Sequence, residues 1–257
     1  MVELAQPFRP ERLRRLREMI QTNGRLTVAE AAAELRTSTE TIRKDLVALE
    51  GQGVLRRVHG GALHLESMTH EPEVATRGTN VEEKRRIAEA ALAYLPQTGA
   101  IFIDAGSTTE ELVRLFPNRR LTVFTNTLTV ASALAALSEV RVHTLGGRVR
   151  AETLAEVGAQ ALTTISTLSF DLAYVGTNAI SVERGLSTPD VEEASVKAAM
   201  IRNAERACLL ADHTKFARTS LVRYAGVEEL DLIVTGRELD AQHRSALKGL
   251  DVEVAYA

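Results

Sequence analysis

The sequence predicts an α/β protein in two unequal parts: a small helical head that ends in a β-hairpin, and a larger body of alternating strands and helices around a mostly parallel sheet. Three observations predict it. Residues 26–45 read as two short amphipathic helices joined by a tight turn. Residues 54–65 carry two β-rich runs on either side of Gly60-Gly61. From residue 81 onward, apolar β-rich runs alternate with helical patterns. The boundaries expected from these patterns are a head at 9–65, a linker at 66–80 and a body at 81–257.

The composition restricts the function classes. The chain has 257 residues, 45% hydrophobic and 25% charged, the profile of a globular protein. No apolar run approaches the roughly 20 residues of a membrane-spanning helix, and the N-terminus lacks an apolar signal region. The single cysteine, Cys208, lies in the apolar run ACLLA, which excludes an internal disulfide framework and offers no metal cluster. A reducing cytoplasm is the expected compartment, with no metal, no cofactor and no membrane partner. The net charge of -3 is divided unevenly: residues 1–63 carry +3 and residues 64–257 carry -6, a basic head on an acidic body.

In chain order, residues 10–23 form the first helix, with Pro10 in its first turn, Leu13, Leu16 and Ile20 as the buried stripe and Gly24 as the stop. Thr27 followed by Glu30 makes a capping box for the second helix, whose apolar face is Val28, Ala31, Ala32 and Leu35. Arg36-Thr37-Ser38 breaks the pattern, and Ser38 or Thr39 caps a third helix with Ile42, Leu46 and Leu49 inward. Glu40, Arg43, Lys44 and Val47 fall on its outer side. Two short helices about a three-residue turn, the second with basic groups outward, is the helix-turn-helix design. Its second helix enters a DNA major groove with its N-terminal residues, here Ser38, Thr39 and Thr41 with Arg43 and Lys44, at the base edges. The hairpin that follows is then a wing. Arg56, Arg57 and His59 stand where a wing meets phosphates or a minor groove. An ordinary helical hairpin with a solvated charged face is the competing reading of residues 26–45 alone.

With those residues in view, TSTETIRKDLVALEGQGVLRRVHGGA resembles the signature of the DeoR family of bacterial sugar-metabolism repressors, its TIRxDL core and RVHGGA ending both in place.

After the linker, the expected body elements are a helix at VEEKRRIAEAALAYL, a strand at AIFIDAG and a helix at TTEELVRLF. LTVFTN, TLTVASALAAL and VRVHTLGG follow as strand, helix and strand, then GAQALTTIST as a helix. FDLAYVGTNAI is a strand, VEEASVKAAMIRNAE a helix, ACLLAD a strand and LIVTG a strand. A short helix near HRSALKGL and a strand at VEVAYA close the chain. Ligands of such sheets bind beyond the carboxyl ends of the strands. The first strand ends Asp104-Ala105-Gly106-Ser107-Thr108-Thr109 and runs straight into a helix, whose unpaired N–H groups suit an anion. Simple capping by Ser107 or Thr108 is the plainer alternative. Other strand ends are Thr125-Asn126, Gly146-Gly147, Gly176-Thr177-Asn178 and Asp212-His213-Thr214-Lys215, which together make a polar crevice.

The body, too, is similar to the DeoR family, to its C-terminal sensor domain, through DAGSTT, Thr125-Asn126, the LGG at 145–147, the GLST at 185–188 and LADHTK. The resemblance spans nearly the whole chain. It implies an N-terminal winged helix-turn-helix joined to a ribose-5-phosphate isomerase-like α/β sensor domain. It also implies a phosphorylated sugar as effector, with DAGSTT on the phosphate and Asp104, Asn126, Asp212 and Lys215 near the sugar. Two positions depart from the family pattern: Ser107 where Thr is common, and Ala217 where Gly usually follows the Lys-Phe pair.

The expected function is therefore a repressor that binds double-stranded operator DNA as a homo-oligomer, dimer or tetramer, and leaves it when the sugar phosphate binds. The alternative is a sugar-phosphate isomerase with an appended DNA-binding head. Isomerisation needs a positioned base, and the related isomerases carry acids on the strand matching FDLAYVGTNAI. Here that strand ends Gly176-Thr177-Asn178-Ala179 without a carboxylate, so no catalytic residue is expected. A pure protein-interaction module leaves both wing and anion turn unexplained.

Overall fold

The computed structural model describes residues 8–52, 54–58, 60–64, 79–216 and 218–257, and the chain divides into two compact units, residues 1–70 and 71–257. His59, Leu65, Ala217 and linker residues 66–78 lie outside the described residues.

The head begins with α1 (Arg9–Asn23), which has Pro10 in its first turn and ends at Gly24 in the left-handed conformation, φ 68°. A short strand β1 (Arg25–Thr27) leads into α2 (Val28–Glu34). The capping box is formed: Glu30 N–H donates to Thr27 Oγ1 at 3.1 Å, and Thr27 N–H donates to Glu30 Oε2 at 3.2 Å. Helix α3 (Thr39–Gly51) is capped by Ser38, whose Oγ accepts from Thr41 N–H at 3.1 Å. Strands β2 (Leu55–Val58) and β3 (Gly61–His64) form the wing, and the sheet order is β1-β3-β2. The sequence reading places Gly61 in the turn; it is the first residue of β3. A Cβ there would lie 2.2 Å from the Leu26 carbonyl oxygen, so glycine is what lets β1 close on the wing. Leu16, Ile20, Leu35, Ile42, Leu46, Leu49 and Leu55 fill one core. Asp45, 1% exposed, accepts a hydrogen bond from Arg12 Nε at 2.5 Å and ties α3 to α1.

In the body, α4 (Val81–Ala91) precedes β4 (Gly99–Ile103), α5 (Ser107–Arg114), β5 (Leu121–Thr125), α6 (Leu128–Leu134) and β6 (Val140–Thr144). A hairpin β7 (Arg148–Val149) and β8 (Glu156–Val157) leads to α7 (Ala159–Ile165) and β9 (Leu172–Gly176). Then come β10 (Ala179–Ser181), β11 (Gly185–Thr188), α8 (Val191–Arg202), β12 (Ala207–Ala211), β13 (Val222–Ala225), β14 (Leu232–Thr235), α9 (Ala241–Leu247) and β15 (Glu253–Tyr256). Seven strands make the main sheet in the order β15-β14-β12-β9-β4-β5-β6, and every neighbouring pair is parallel. Alternate residues feed two cores. Ile101, Ile103, Tyr174, Cys208 and Leu210 pack with α4, α5 and α6. Phe102, Ala173, Val175 and Leu209 pack with α7 and α8. From β4 the chain lays β5 and β6 to one side, then returns to place β9 on the other. The strand order thus reverses between β4 and β9, and that is where a crevice opens beyond the carboxyl ends of a doubly wound sheet.

The structure differs from the sequence reading in five short strands and one long one. β1, β7, β8, β11 and β13 are absent from that reading; at 3, 2, 2, 4 and 4 residues they are too short to show a period of two. FDLAYVGTNAI is two strands. β9 stops at Gly176, and β10 belongs to a separate antiparallel sheet, β10-β11-β13. Thr177 holds the break, its Oγ1 donating to the Ala179 carbonyl at 2.8 Å.

Candidate functional site

On α3 the apolar stripe is buried, and Thr39, Glu40, Arg43, Lys44 and Val47 are exposed. Ser38 and Thr41 are half committed to the fold: besides the cap, their hydroxyls lie 2.8 Å apart. Arg43 meets Glu40 at 3.5 Å with both side chains about 60% exposed or more, a solvated contact that any stronger anion displaces. On the wing Arg56 is exposed. Arg57 is turned back onto α3: its Nε donates to Glu50 Oε2 at 2.6 Å and its N–H to Glu50 Oε1 at 2.8 Å. Those hydrogen bonds, and the charges of Arg57 and Arg56, hold the Glu50 carboxyl below the usual range. Arg57 therefore positions the wing, a role the sequence does not reveal, and Arg56 is the more available cation.

In the body, an open cleft is lined by Ala105, Gly106 and Ser107–Thr109 from the end of β4, by Gly176–Asn178 after β9, and by Leu210 and Lys215 on the β12 side. It sits at the reversal of strand order. Of the residues expected to bind an effector, it brings together Gly106, Ser107, Thr108, Thr109, Gly176 and Lys215.

The turn after β4 overturns the capping alternative. Helix α5 starts at Ser107, its N-cap is Gly106, and no side chain caps it. Glu110 N–H makes the first intrahelical bond, to the Gly106 carbonyl at 2.9 Å. The N–H groups of Ser107, Thr108 and Thr109 precede that bond and have no intrahelical partner. The Ser107 and Thr108 hydroxyls are not spent on the helix, whereas the Thr109 hydroxyl is, donating to the Gly106 carbonyl at 2.7 Å. Gly106 has φ +154°, ψ 154°, a conformation open to glycine and strained for other residues.

Asp104 stands behind the cleft. It is fully buried, accepts from Ala105 N–H at 2.8 Å and Gly176 N–H at 3.0 Å, and pairs with Lys197 Nζ. Lys197 and Glu193, both on α8, line the cleft, and sequence reasoning missed both. Burial alone would depress the Lys197 pKa; the charges of Asp104 and Glu193 outweigh it and raise the value. Lys197 Nζ also donates to the Gly176 carbonyl at 3.2 Å and lies 3.5 Å from Glu193 Oε1. Glu193 pairs on its other side with Arg150, itself 7% exposed.

The remaining expected residues do not line the cleft. Thr125 Oγ1 accepts from Thr127 N–H at 3.2 Å. Asn126 Oδ1 accepts from Ala105 N–H at 3.1 Å, while its buried Nδ2 has no hydrogen-bond partner. Gly146 and Gly147 adopt φ of 74° and 112° where a Cβ would meet Gln160 at 2.8 Å and the Val157 carbonyl at 2.6 Å. They serve the packing of the β7–β8 hairpin and α7. Asp212 is 1% exposed and accepts from Thr214 N–H at 3.0 Å and from the Thr214 hydroxyl. Burial raises its pKa, but Lys215, the Thr214 hydrogen bonds and Lys84 together hold it low. Glu83, Asp212 and His213 bring possible metal-ligand atoms within 4.8 Å of one another. Glu83, however, already accepts from His213 N–H at 2.8 Å and faces its Nδ1 at 2.7 Å, and the nearby lysines oppose a cation, so no metal is assigned.

Comparison with known proteins gives the same two-part division. Residues 12–68 match the DeoR-like helix-turn-helix domain and residues 79–237 match the DeoR C terminal sensor domain. The chain is 37% identical over 246 residues to the HTH-type transcriptional regulator GlpR of Haloferax volcanii, covering 95% of this chain and 96% of that protein. It is 31% identical over 219 residues to the glycerol-3-phosphate regulon repressor of Escherichia coli K12, covering 85% and 87%. Among solved structures, ribose 5-phosphate isomerase A of Methanocaldococcus jannaschii aligns with a TM-score of 0.40 at 16% identity, over 54% of this chain and 55% of that one.

Proposed function

Because the chain belongs to the DeoR family of DNA-binding transcriptional regulators of sugar metabolism, and is not an enzyme, we propose that it represses sugar-metabolism genes and is released from its operator by a phosphorylated sugar. The effector binds beyond the carboxyl ends of β4, β9 and β12. One observation carries this reading: α5 opens through Gly106 with no side-chain cap into a cleft that Lys215 also lines. Unpaired N–H groups, the positive end of a helix dipole and a lysine together suit a phosphate. A relative named for the glycerol-3-phosphate regulon is in keeping with a phosphorylated polyol. Asp104 and Asp212, carboxylates that could otherwise serve as bases, are held by Lys197 and Thr214.

The protein works in the cytoplasm as a homo-oligomer, because helix-turn-helix heads pair on two half-sites. Among the described residues no helix is long and apolar enough to cross a membrane. Effector and operator compete through linkage: a coupling of about 1–3 kcal/mol changes operator affinity roughly 5- to 150-fold. A thermal-shift screen of sugar phosphates, followed by operator binding with and without each hit, tests the reading. Stabilisation by a sugar phosphate together with weaker operator binding is expected; stabilisation by none overturns it.

On the DNA side, the exposed cations of α3 read bases or grip phosphates. Arg43→Ala and Lys44→Ala each weaken the operator complex with the fold intact. A lost base contact costs about 1–3 kcal/mol, and a lost phosphate contact lowers the salt slope by about one. Titrations at several salt concentrations separate the two, and unchanged affinity in both variants removes these residues from the interface. On the wing, Arg56→Ala weakens operator and random DNA alike, as a phosphate contact does. Arg57→Ala has its main effect on specific binding, because it removes the Nε bond from the tie between the wing and Glu50 and leaves only the backbone N–H bond. A uniform loss in the Arg57 variant would return that residue to the phosphate set.

A further inference from the structure

The turn between α2 and α3 puts an arginine where a helix end usually has glycine. Arg36 follows Leu35, the carboxyl cap of α2, at φ 49°, and two hydrogen bonds close the turn. Arg36 N–H donates to the Ala33 carbonyl at 3.3 Å, and Thr37 N–H donates to the Ala32 carbonyl at 3.0 Å. That is a Schellman motif, and its left-handed position favours glycine because a Cβ is strained there. Helix α1 ends in the same left-handed way, on Gly24. Among the described residues, Arg36 is the one non-glycine residue of the head at positive φ. We infer that Arg36 is a DNA contact, gripping a backbone phosphate beside the groove that α3 enters. This rests on the assignment of α3 to the major groove.

The fold gains nothing from the side chain. Arg36 is exposed, and among the described residues it has no hydrogen bond and no ion pair. On α1, by contrast, Arg14 meets Glu18 and Arg15 meets Glu11. A strained residue that glycine could replace, with its cation left free, points to a partner outside the fold. Its position says which partner. Arg36 stands two residues before Ser38, the cap of α3, and so at the end of the helix that enters the groove. The N-terminal residues of α3 itself lie against base edges, whereas the walls of the groove are sugar and phosphate. A side chain that leaves from the turn rather than from the helix meets the wall. A guanidinium suits that wall, since it offers a phosphate two parallel N–H donors and stays charged at any working pH. The plainer reading is a cation favoured by the carboxyl end of the α2 dipole, and it predicts the opposite results.

Arg36→Gly in the full chain tests this, titrated at several salt concentrations against a duplex that the wild type selects from a randomised pool and against a scrambled duplex. Affinity for both should fall about eightfold at about 0.1 M salt, with the salt slope reduced by about one. The melting temperature followed by circular dichroism should stay at or above that of the wild type, because glycine fits the left-handed position. Arg36→Lys keeps the charge and should stay within about threefold of the wild type with the slope retained. Unchanged affinity of the glycine variant for both duplexes overturns the contact. So does a lower melting temperature, which the dipole reading predicts, and so does a loss confined to the selected duplex, the sign of a base contact. A lysine variant as weak as the glycine variant overturns it too. Lys44→Ala, measured in parallel, separates Arg36 from the helix assignment. If Lys44→Ala weakens binding and Arg36→Gly does not, Arg36 alone leaves the interface; if neither does, the assignment of α3 to the major groove falls.

Discussion

Gly106→Val binds operator DNA with wild-type affinity and is no longer released by the sugar phosphate; in a cell it is a super-repressor. The expected loss of effector affinity is large because two effects add. A branched residue at φ +154° carries strain of about 1–3 kcal/mol, which relaxes only by moving the turn. The side chain also projects at the mouth of the helix terminus, where the phosphate must come close. Ser107→Ala with Thr108→Ala is the gentler companion. Since α5 has no side-chain cap to lose, this double variant loses no capping stability, stays folded and loses effector affinity. A capping role predicts the reverse, a stability loss of order 1 kcal/mol with the effector response intact. Calorimetry after circular dichroism distinguishes them, and wild-type effector affinity in the double variant rules out the phosphate turn.

Lys197→Met destabilises the body by about 3–5 kcal/mol, because it leaves the Asp104 carboxylate buried without its counterion. Adding Asp104→Asn restores most of the loss: the amide oxygen still accepts from the Ala105 and Gly176 N–H groups, and no uncompensated charge remains. The chain offers a selective probe for this. It has no tryptophan, and all four of its tyrosines, Tyr94, Tyr174, Tyr224 and Tyr256, lie in the body. Urea unfolding followed by tyrosine emission thus reports the body alone. A loss below about 1 kcal/mol in the single variant would show that Asp104 does not depend on Lys197.

The architecture was legible wherever local chemistry repeats. Thr27 with Glu30, Ser38 before α3, Gly24 after α1 and the alternation of β4, β5, β9 and β12 each leave a periodic or positional mark. The turn from β4 into α5 was legible because glycine and hydroxyl residues stand between a strand and a helix. What escaped is what depends on distant partners. Glu193 and Lys197 are spaced i, i+4 and read as an ordinary solvated helix pair. The available signal was their setting among Val196, Ala199 and Met200, on a helix buried on more than one side. Asp45 lies within the TIRxDL core on α3, and only the fold brings Arg12 to it. Gly146 and Gly147 misled for the opposite reason, since glycines at a strand end serve tight packing as readily as ligand approach.

The bond from Arg57 to Glu50 has a consequence for anyone who would give this protein a new operator. Glu50 is in the last turn of α3, so the helix proposed to read the major groove also sets where the wing stands. A graft that exchanges the outward residues of α3 but stops short of position 50, or replaces Glu50 with a neutral residue, transfers the base code and unmoors the wing. Retargeting by transplant has to carry residues 38–58 as one cassette, with both members of the pair taken from the same donor.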